Sequence, residues 1–252
     1  MRLPKVSVLV PAFNEEKYII ASLRALAAQD YPDFEIIVTD NASTDSTAFL
    51  VEQFIRQSGA GVPVQLVSEN RKGTNFAREC ARKAATGSVI AQVDADCIPA
   101  NNWLRRGVTE LTKRSAVAVT GPYDYFDGSW LIRRFSLVSQ QLLYPVVNYA
   151  AQLTGRAAIL IGGNALIRAE ALQAIGGYDT SLSFYGDDVA LAARLSEYGR
   201  VIYCASLVQP TSARRYRAQG FWKVNRKYQA CFWKLLRNEQ LLGSTLETSH
   251  PR

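Results

Sequence analysis

Ser88-Val-Ile-Ala-Gln-Val-Asp-Ala-Asp-Cys-Ile-Pro99 is the stretch on which the fold turns. Val89, Ile90, Ala91 and Val93 make a short, nearly apolar run, the pattern of a strand buried on both faces of a parallel sheet. The run ends in two carboxylates, Asp94 and Asp96, and Pro99 then halts it. Open parallel sheets bind ligands beyond the carboxyl ends of their strands, which is where this pair belongs. Two carboxylates one residue apart suit a hard cation that also holds phosphate oxygens. Asp is equally at home in a solvated turn, so the pair takes its meaning from its surroundings.

Upstream, Val6–Val10 reads as a buried strand, with Pro11-Ala12-Phe13-Asn14-Glu15-Glu16 as its loop. Ile19, Leu23, Leu26 and Ala27 recur at helical spacing until Pro32. Glu35–Thr39 is a second strand running into Asp40-Asn41-Ala42-Ser43-Thr44-Asp45, where Ser43 or Thr44 can cap a helix bearing Leu50, Phe54 and Ile55. Gly59, Gly61 and Pro63 break that helix before a third strand, Val64–Val67. A basic loop, Asn70-Arg71-Lys72-Gly73, precedes a helix through Phe76, Cys80 and Ala84 that Gly87 ends. This alternation predicts an α/β fold with a Rossmann-like, mostly parallel central sheet flanked by helices.

Downstream, the spacing predicts a helix over Trp103–Thr112 and a strand over Ala116–Thr120, closed by Gly121-Pro122. The alternation is then lost. Leu131, Phe135, Val138, Leu142, Val146 and Tyr149 form a helical stripe that Pro145 should kink. Ala158–Ile161 is a short apolar run before Gly162-Gly163-Asn164, and Glu170–Ile175 is helical before Gly176-Gly177-Tyr178-Asp179. Gly186-Asp187-Asp188 opens a helix through Val189 and Leu195, and Val201–Cys204 gives a late strand. No repeat or linker interrupts the chain, so residues 1–212 read as one domain with functional halves 1–121 and 122–212. Residues 213–252 follow as a C-terminal amphipathic helix and polar tail.

A chain of 252 residues can bury one large core, and 48% hydrophobic with 20% charged residues excludes a disordered chain. The net charge of +7 favours an acidic partner: a phosphorylated substrate, an anionic membrane or a nucleic acid. No nucleic-acid motif supports the last. Cys80, Cys97, Cys204 and Cys231 lack metal or redox spacing and read as free thiols of a reducing compartment. Met1–Lys5 leaves no room for a signal peptide ahead of the first strand, which points to the cytoplasm. Phe135–Gly155 is uncharged but too rich in Ser, Gln and Asn to match the ~20 mainly apolar residues of a spanning helix.

Taken together, these segments resemble glycosyltransferase family 2, the inverting nucleotide-sugar transferases of the GT-A fold. Val6–Glu15 looks like that family's opening strand and loop, and Asp40–Asp45 is similar to its second-strand motif. Asp94-Ala95-Asp96 matches its Asp-x-Asp, and Gly163-Asn164-Ala165 with Gly176-Gly177-Tyr178-Asp179 matches its acceptor-side segment. Gly186-Asp187-Asp188 with Leu191, Arg194 and Leu195 resembles its Gly-Glu-Asp-x-Asp-Leu-x-x-Arg-Leu helix start. Each motif alone is weak; five occur in order between Val6 and Thr211.

The resemblance implies single-sugar transfer from a nucleotide-sugar donor, UDP-linked by the pattern around Asp40, to a saccharide or lipid-linked acceptor. It implies that Pro11, Phe13, Glu15 and Asp40 surround the nucleobase and ribose, with Asp40 accepting from an imide N–H. Asp94 would reach the ribose, Lys72 would add positive charge, and Asp96 would hold Mg2+ or Mn2+ against the diphosphate. Asp188 would be the general base, with Asp187 as the alternative. Either acid is also a helix-start residue that needs no catalytic role. The chain departs from the pattern at Asp187 (usually Glu), at Ala190 (usually Asp), and in Leu207–Thr211, which lacks a metal-binding His. Its one histidine, His250, falls in the polar tail. The Gln-x-x-Arg-Trp motif of processive synthases is also absent.

Rival α/β enzymes fit less well. A dinucleotide-dependent oxidoreductase needs Gly-x-Gly-x-x-Gly where Pro11–Glu16 stands. A haloacid-dehalogenase-like phosphatase carries its Asp-x-Asp after the first strand rather than the fourth. A catalytically silent binding module remains the reading from another class.

The C-terminal helix adds a partner question. At ~100° per residue, Phe221, Val224, Tyr228, Cys231, Phe232, Leu235 and Leu236 share an apolar sector. Lys223, Arg226, Lys227, Lys234 and Arg237 lie opposite, with Trp222 and Trp233 together near one boundary. Such a helix packs on its own domain, packs on a second subunit in a homodimer, or lies on the inner face of an anionic membrane through residues 217–238.

Overall fold

The computed structural model describes residues 3–57, 61–153, 158–182 and 186–236. The first half runs β1 (Val6–Ala12), α1 (Ile19–Ala27), β2 (Phe34–Asp40), α2 (Thr47–Gln57), β3 (Val64–Ser68), α3 (Thr74–Ala84), β4 (Val89–Val93), α4 (Trp103–Lys113) and β5 (Ala118–Thr120). The second half runs β6 (Tyr123–Tyr125), α5 (Trp130–Leu153), β7 (Asn164–Arg168), α6 (Ala169–Ala174), α7 (Asp187–Ser196), β8 (Val201–Tyr203), β9 (Gln209–Thr211), α8 (Arg214–Gln219) and α9 (Phe221–Leu236). Seven strands form one sheet in the order β3-β2-β1-β4-β7-β5-β8, and β6 and β9 form a small parallel pair.

β3, β2, β1 and β4 are parallel, with Val8 opposite Ile36 on one side and Ala91 on the other. Alternate residues of β1 feed two cores. Val6, Val8 and Val10 pack with Leu23, Leu26 and Trp103, whereas Leu9 packs with Ile37, Ile90 and Ala81. This two-faced burial is what the unbroken apolar runs of β1 and β4 encode. Gly87 lets β4 start hard against β1, since a Cβ there would stand 2.6 Å from the Ser7 nitrogen.

Several local expectations need correction. The fifth position of the sheet is β7, a strand that the sequence reading did not mark, inserted antiparallel between β4 and β5. Ser43 and Thr44 do not cap α2, which starts later at Thr47. They instead close the β1 loop, where the Asn14 backbone N–H donates to Ser43 Oγ at 3.0 Å and the Thr44 N–H donates to Asn14 Oδ1 at 2.8 Å. α3 ends at Ala84 because Ala85 is already extended, ahead of Gly87. The Leu131–Tyr149 stripe lies on α5, Trp130–Leu153, with Pro145 inside the helix. Gly59, Arg237, Asn238 and His250 lie outside the described residues, as do the side chains of Leu235 and Leu236.

α5 turns polar residues inward. Asn148 Nδ2 and Gln152 Nε2 donate to the Val201 carbonyl at 2.8 and 2.7 Å, and the Val201 N–H donates back to Gln152 Oε1 at 3.0 Å. Gln140 likewise pairs with the Tyr123 backbone. These amides cover the open edge of β8 and the start of β6, which accounts for a polar face on the protein side. In α9 the described part of the apolar sector faces the protein: Val224 is 1% exposed and the Tyr228 hydroxyl accepts from Arg215 Nη1 at 2.6 Å. The solvent side of α9 keeps Trp222, Trp233 and the cations. Among the described residues, no helix is long and apolar enough to cross a membrane.

Candidate active site

The expected binding residues meet beyond the carboxyl ends of β1, β2 and β4. In the β1–β2 register Pro11 lies opposite Thr39 and Ala12 opposite Asp40, so Pro11, Phe13 and Asp40 share adjoining tips. Asp40 Oδ1 is buried without a hydrogen-bond partner among the described residues. A buried acceptor in that condition calls for a donor from elsewhere. Asn41 ties the basic loop to the same tips: its side chain donates to the Glu69 and Arg71 carbonyls at 2.9 and 2.8 Å and accepts from the Gly73 N–H at 2.8 Å. Lys72 is thereby brought to Phe13, its Nζ 5.0 Å from the ring centre.

After β4 the chain turns at Asp94, with the Cys97 N–H donating to the Asp94 carbonyl at 3.0 Å, and Cys97 bridges to Thr211 of β9. That bridge brings the C-terminal segment onto the Asp-x-Asp turn. Asp96 Oδ1 accepts from Thr211 Oγ1 at 3.3 Å, and its Oδ2 lies 3.1 Å from Arg214 Nε. The same guanidinium donates to both oxygens of Glu15, from Nη1 at 2.6 Å and from Nη2. Burial raises the pKa of Asp96, an effect that Arg214 opposes. Burial also pushes Glu15 up to about 7, again against the pull of Arg214.

The second cluster is built on Arg78, which is 3% exposed. Its Nη2 lies 3.3 Å from Asp94 Oδ1, while its Nη1 lies 2.9 Å from Asp188 Oδ1 and 3.7 Å from Asp187 Oδ2. Burial works against the charge on Arg78, yet Asp188, Asp94 and Asp187 together push its pKa up. Burial likewise raises Asp188, which Arg78 opposes and Asp94 reinforces. Asp187 is raised further, by burial and then by the Asp188 charge. Tyr123 donates to Asp94 Oδ2 at 3.0 Å, and the Gly162 N–H donates to Asp188 Oδ2 at 3.2 Å.

Gly162 and Gly163 let both carboxylates come this close to the start of β7. A Cβ on Gly162 would stand 2.1 Å from Asp188 Oδ1, and one on Gly163 2.4 Å from the Asp94 carboxyl carbon. Asp188 sits in the first turn of α7, behind Gly186 in the left-handed region at φ 98°.

The structure therefore gathers Glu15, Asp94, Asp96, Asp187 and Asp188 about Arg78 and Arg214, with half-buried Arg215 close enough to act on Asp96 and Asp187, and sets Pro11, Phe13, Asp40 and Lys72 on the neighbouring tips. Among the described residues no three His, Cys, Asp or Glu side chains converge as a metal cage. Magnesium and manganese sites built on one or two carboxylates plus phosphate oxygens and water need no such cage; Asp94 and Asp96 are carboxylates of that kind, and a cation there would compete with the Arg78 and Arg214 contacts.

Arg78, Arg214, Tyr123 and Thr211 escaped the sequence reading. Arg78 left a trace: it falls on the buried stripe of α3 with Asn75, Ala77 and Ala81, where an arginine needs carboxylate partners. Arg214 left none, because only the β9 bridge brings it to Asp96.

The pattern of Glycosyl transferase family 2 matches residues 7–176. Glycosyltransferase AglE of Haloferax volcanii is 28% identical over 203 residues, covering 78% of this chain and 63% of that protein. The Escherichia coli UDP-Glc:alpha-D-GlcNAc-diphosphoundecaprenol beta-1,3-glucosyltransferase WfgD is 31% identical over 139 residues, 55% of this chain and 53% of that protein. This chain thus spans less than two thirds of either relative. Among solved structures, the mannosyltransferase PcManGT from Pyrobaculum calidifontis, in complex with GDP-Man and Mn2+, superposes with a TM-score of 0.69. It is 26% identical and covers 94% of this chain and 69% of that one. The sheet described above is the mostly parallel GT-A sheet of such neighbours. With the family pattern running from β1 through α6 and the carboxylates gathered at the ends of its strands, this chain belongs to glycosyl transferase family 2.

Proposed function

We propose that this protein transfers a single sugar, with inversion, from a UDP-linked donor to a hydroxyl of a saccharide or lipid-linked acceptor. The observation that carries this reading is the sharing of Arg78 between Asp94 and Asp188. One guanidinium fixes a donor-side carboxylate and a candidate base a guanidinium's width apart. Such a separation suits a donor held on one side and an acceptor hydroxyl presented on the other.

In the proposed reaction the acceptor oxygen attacks the anomeric carbon while the bond from that carbon to the diphosphate oxygen breaks. Asp188 takes the hydroxyl proton, and the nucleoside diphosphate leaves with the bonding pair. Asp187, deeper and less accessible, helps hold Arg78. Asp40 accepts from the uracil imide N–H, while Pro11, Phe13 and Glu15 line the nucleoside, Asp94 the ribose, and Lys72 the phosphates. Asp96 would hold a magnesium or manganese ion, whose charge would offset that of the departing diphosphate.

On this reading residues 1–121 form the donor half and 122–212 the acceptor half, and the 213–252 segment contributes Arg214 to the donor side. WfgD acts on a diphosphoundecaprenol-linked sugar, which supports a lipid-linked acceptor and a site of action at the cytoplasmic membrane face. A thermal-shift panel of UDP-, GDP- and TDP-sugars with magnesium or manganese tests the donor, since a ligand that binds only the folded state raises Tm. UDP-sugars should give the largest shift. A larger shift with GDP-sugars would overturn the uracil assignment, and no shift with any would overturn the donor site.

A further inference from the structure

α5 is inverted relative to a helix that meets water. Its fully buried positions are Ser136, Gln140, Asn148 and Ala151, while its large apolar side chains point away from the protein. Leu131 and Leu153 are 71% and 73% exposed. At ~100° per residue, Leu131, Phe135, Leu142, Val146, Tyr149 and Leu153 fall within a sector of about 60°. Over 24 residues this makes an apolar ridge about 36 Å long. Soluble surfaces rarely carry a continuous apolar stripe of that extent without a partner.

We infer that this ridge docks the protein on a bilayer containing anionic lipid, with α5 lying in the plane of the interface. The charges beside it select that occupant. Arg134 of α5 and Lys223, Arg226 and Lys234 of α9 are exposed cations, whereas Arg133, Arg214 and Arg217 are paired with Asp124, Glu15 and Asp127. Phe135 of α5 stacks edge-on with Phe221 of α9, ring centres 6.4 Å apart, and Phe221 contacts Trp222, which is 76% exposed. The aromatic contact makes the start of α9, which bears the exposed Lys223 and Arg226, continuous with the ridge. Apolar insertion with tryptophan at headgroup depth and cations toward anionic lipid is how interfacial helices bind. A second copy of this chain meets the ridge with the same cations, and like charges oppose that pairing. The surface is α5 rather than α9, because the described apolar sector of α9 is already spent on the protein. This inference lies outside the catalytic cluster and stands whether or not the donor is UDP-linked.

Cosedimentation of the full chain with vesicles tests it, using phosphatidylcholine alone and phosphatidylcholine mixed with phosphatidylglycerol. The native protein should pellet with the anionic vesicles, less so as salt rises, and weakly with phosphatidylcholine alone. Leu131→Ser/Leu142→Ser/Val146→Ser should lose at least tenfold in vesicle affinity while keeping the native circular dichroism spectrum and Tm, since all three side chains are exposed. Lys223→Glu/Arg226→Glu should lose the preference for anionic lipid. Native protein that stays in the supernatant with anionic vesicles at low salt would overturn the inference, as would undiminished binding of the triple variant. A native dimer in sedimentation velocity that the triple variant dissociates, with no vesicle binding, would assign the ridge to a second copy. The thermal shift with nucleotide sugars is read separately on the same variants, so the two readings fail independently.

Discussion

Arg78 Nη1 lies 2.9 Å from Asp188 Oδ1, inside the protein and one guanidinium edge away from Asp94. In the proposed reaction this contact bears on which acid of the Asp187-Asp188 doublet would face the acceptor. Asp187 is the more buried, and Asp188 keeps part of its carboxylate in the open site. Asp188→Asn should therefore lower turnover by ~10²–10⁴-fold while nucleotide affinity, read by calorimetry, stays near native. If Asp187→Asn loses turnover and Asp188→Asn keeps it, the base is Asp187.

The pH profile follows from the same contact. A general base works ionised, and burial raises Asp188 above its ordinary value near 3.8. kcat/KM should then fall as pH drops through a value higher than that of a free aspartate. Arg78 holds that value down, so Arg78→Gln should move the acid limb to higher pH. The linkage has a definite sign. A carboxyl raised on folding contributes stability that is complete below its unfolded pKa and is lost as pH rises through the folded one. An acid limb at the value of a free aspartate would remove Asp188 from the role.

Arg78 also holds the fold together. Arg78→Met leaves Asp94, Asp187 and Asp188 without their buried counter-charge, which should cost about 3–5 kcal/mol in urea unfolding near neutral pH. The loss should shrink in acid as the carboxylates protonate. Arg134→Met, on the exposed side of α5, should stay within about 0.5 kcal/mol of native as a control.

Gly163→Ala tests the close approach of β7 to the Asp-x-Asp turn. The added Cβ would stand 2.1 Å from Tyr123 Oη and 2.4 Å from the Asp94 carboxyl carbon. Relieving that overlap should cost about 1–3 kcal/mol of stability and displace Asp94. Nucleotide affinity should fall about tenfold or more in a protein of native secondary structure. Native affinity would show that Asp94 does not touch the donor.

Asp96 carries the proposed cation. UDP should bind the native protein more weakly in chelator than in magnesium. Asp96→Asn should bind weakly and equally in both. Equal affinity of the native protein in chelator would take the metal from Asp96.

The alternation of short apolar runs with amphipathic helices determined the first half of the fold, because a parallel strand buried on both faces must be apolar throughout. Val6–Val10 and Val89–Val93 accordingly declare themselves, and Asp94 and Asp96 follow at their expected tip. The second half did not yield to that logic. β7 is five residues, opens on a buried Asn164 whose side chain takes the Trp103 Nε1–H at 2.8 Å, and pairs antiparallel across 70 residues of chain. β9 is three residues with a central proline, and no periodicity marks it. Arg78 and Arg214 needed tertiary structure for a further reason: a sequence shows how many charges a chain has, but only packing shows which of them lose water together. The stripe on α5 makes the same point in reverse. Its helical spacing was visible in the sequence, but which face meets the protein was settled by the bare edge of β8, whose backbone groups required the amides of Asn148 and Gln152 and so turned the leucines outward.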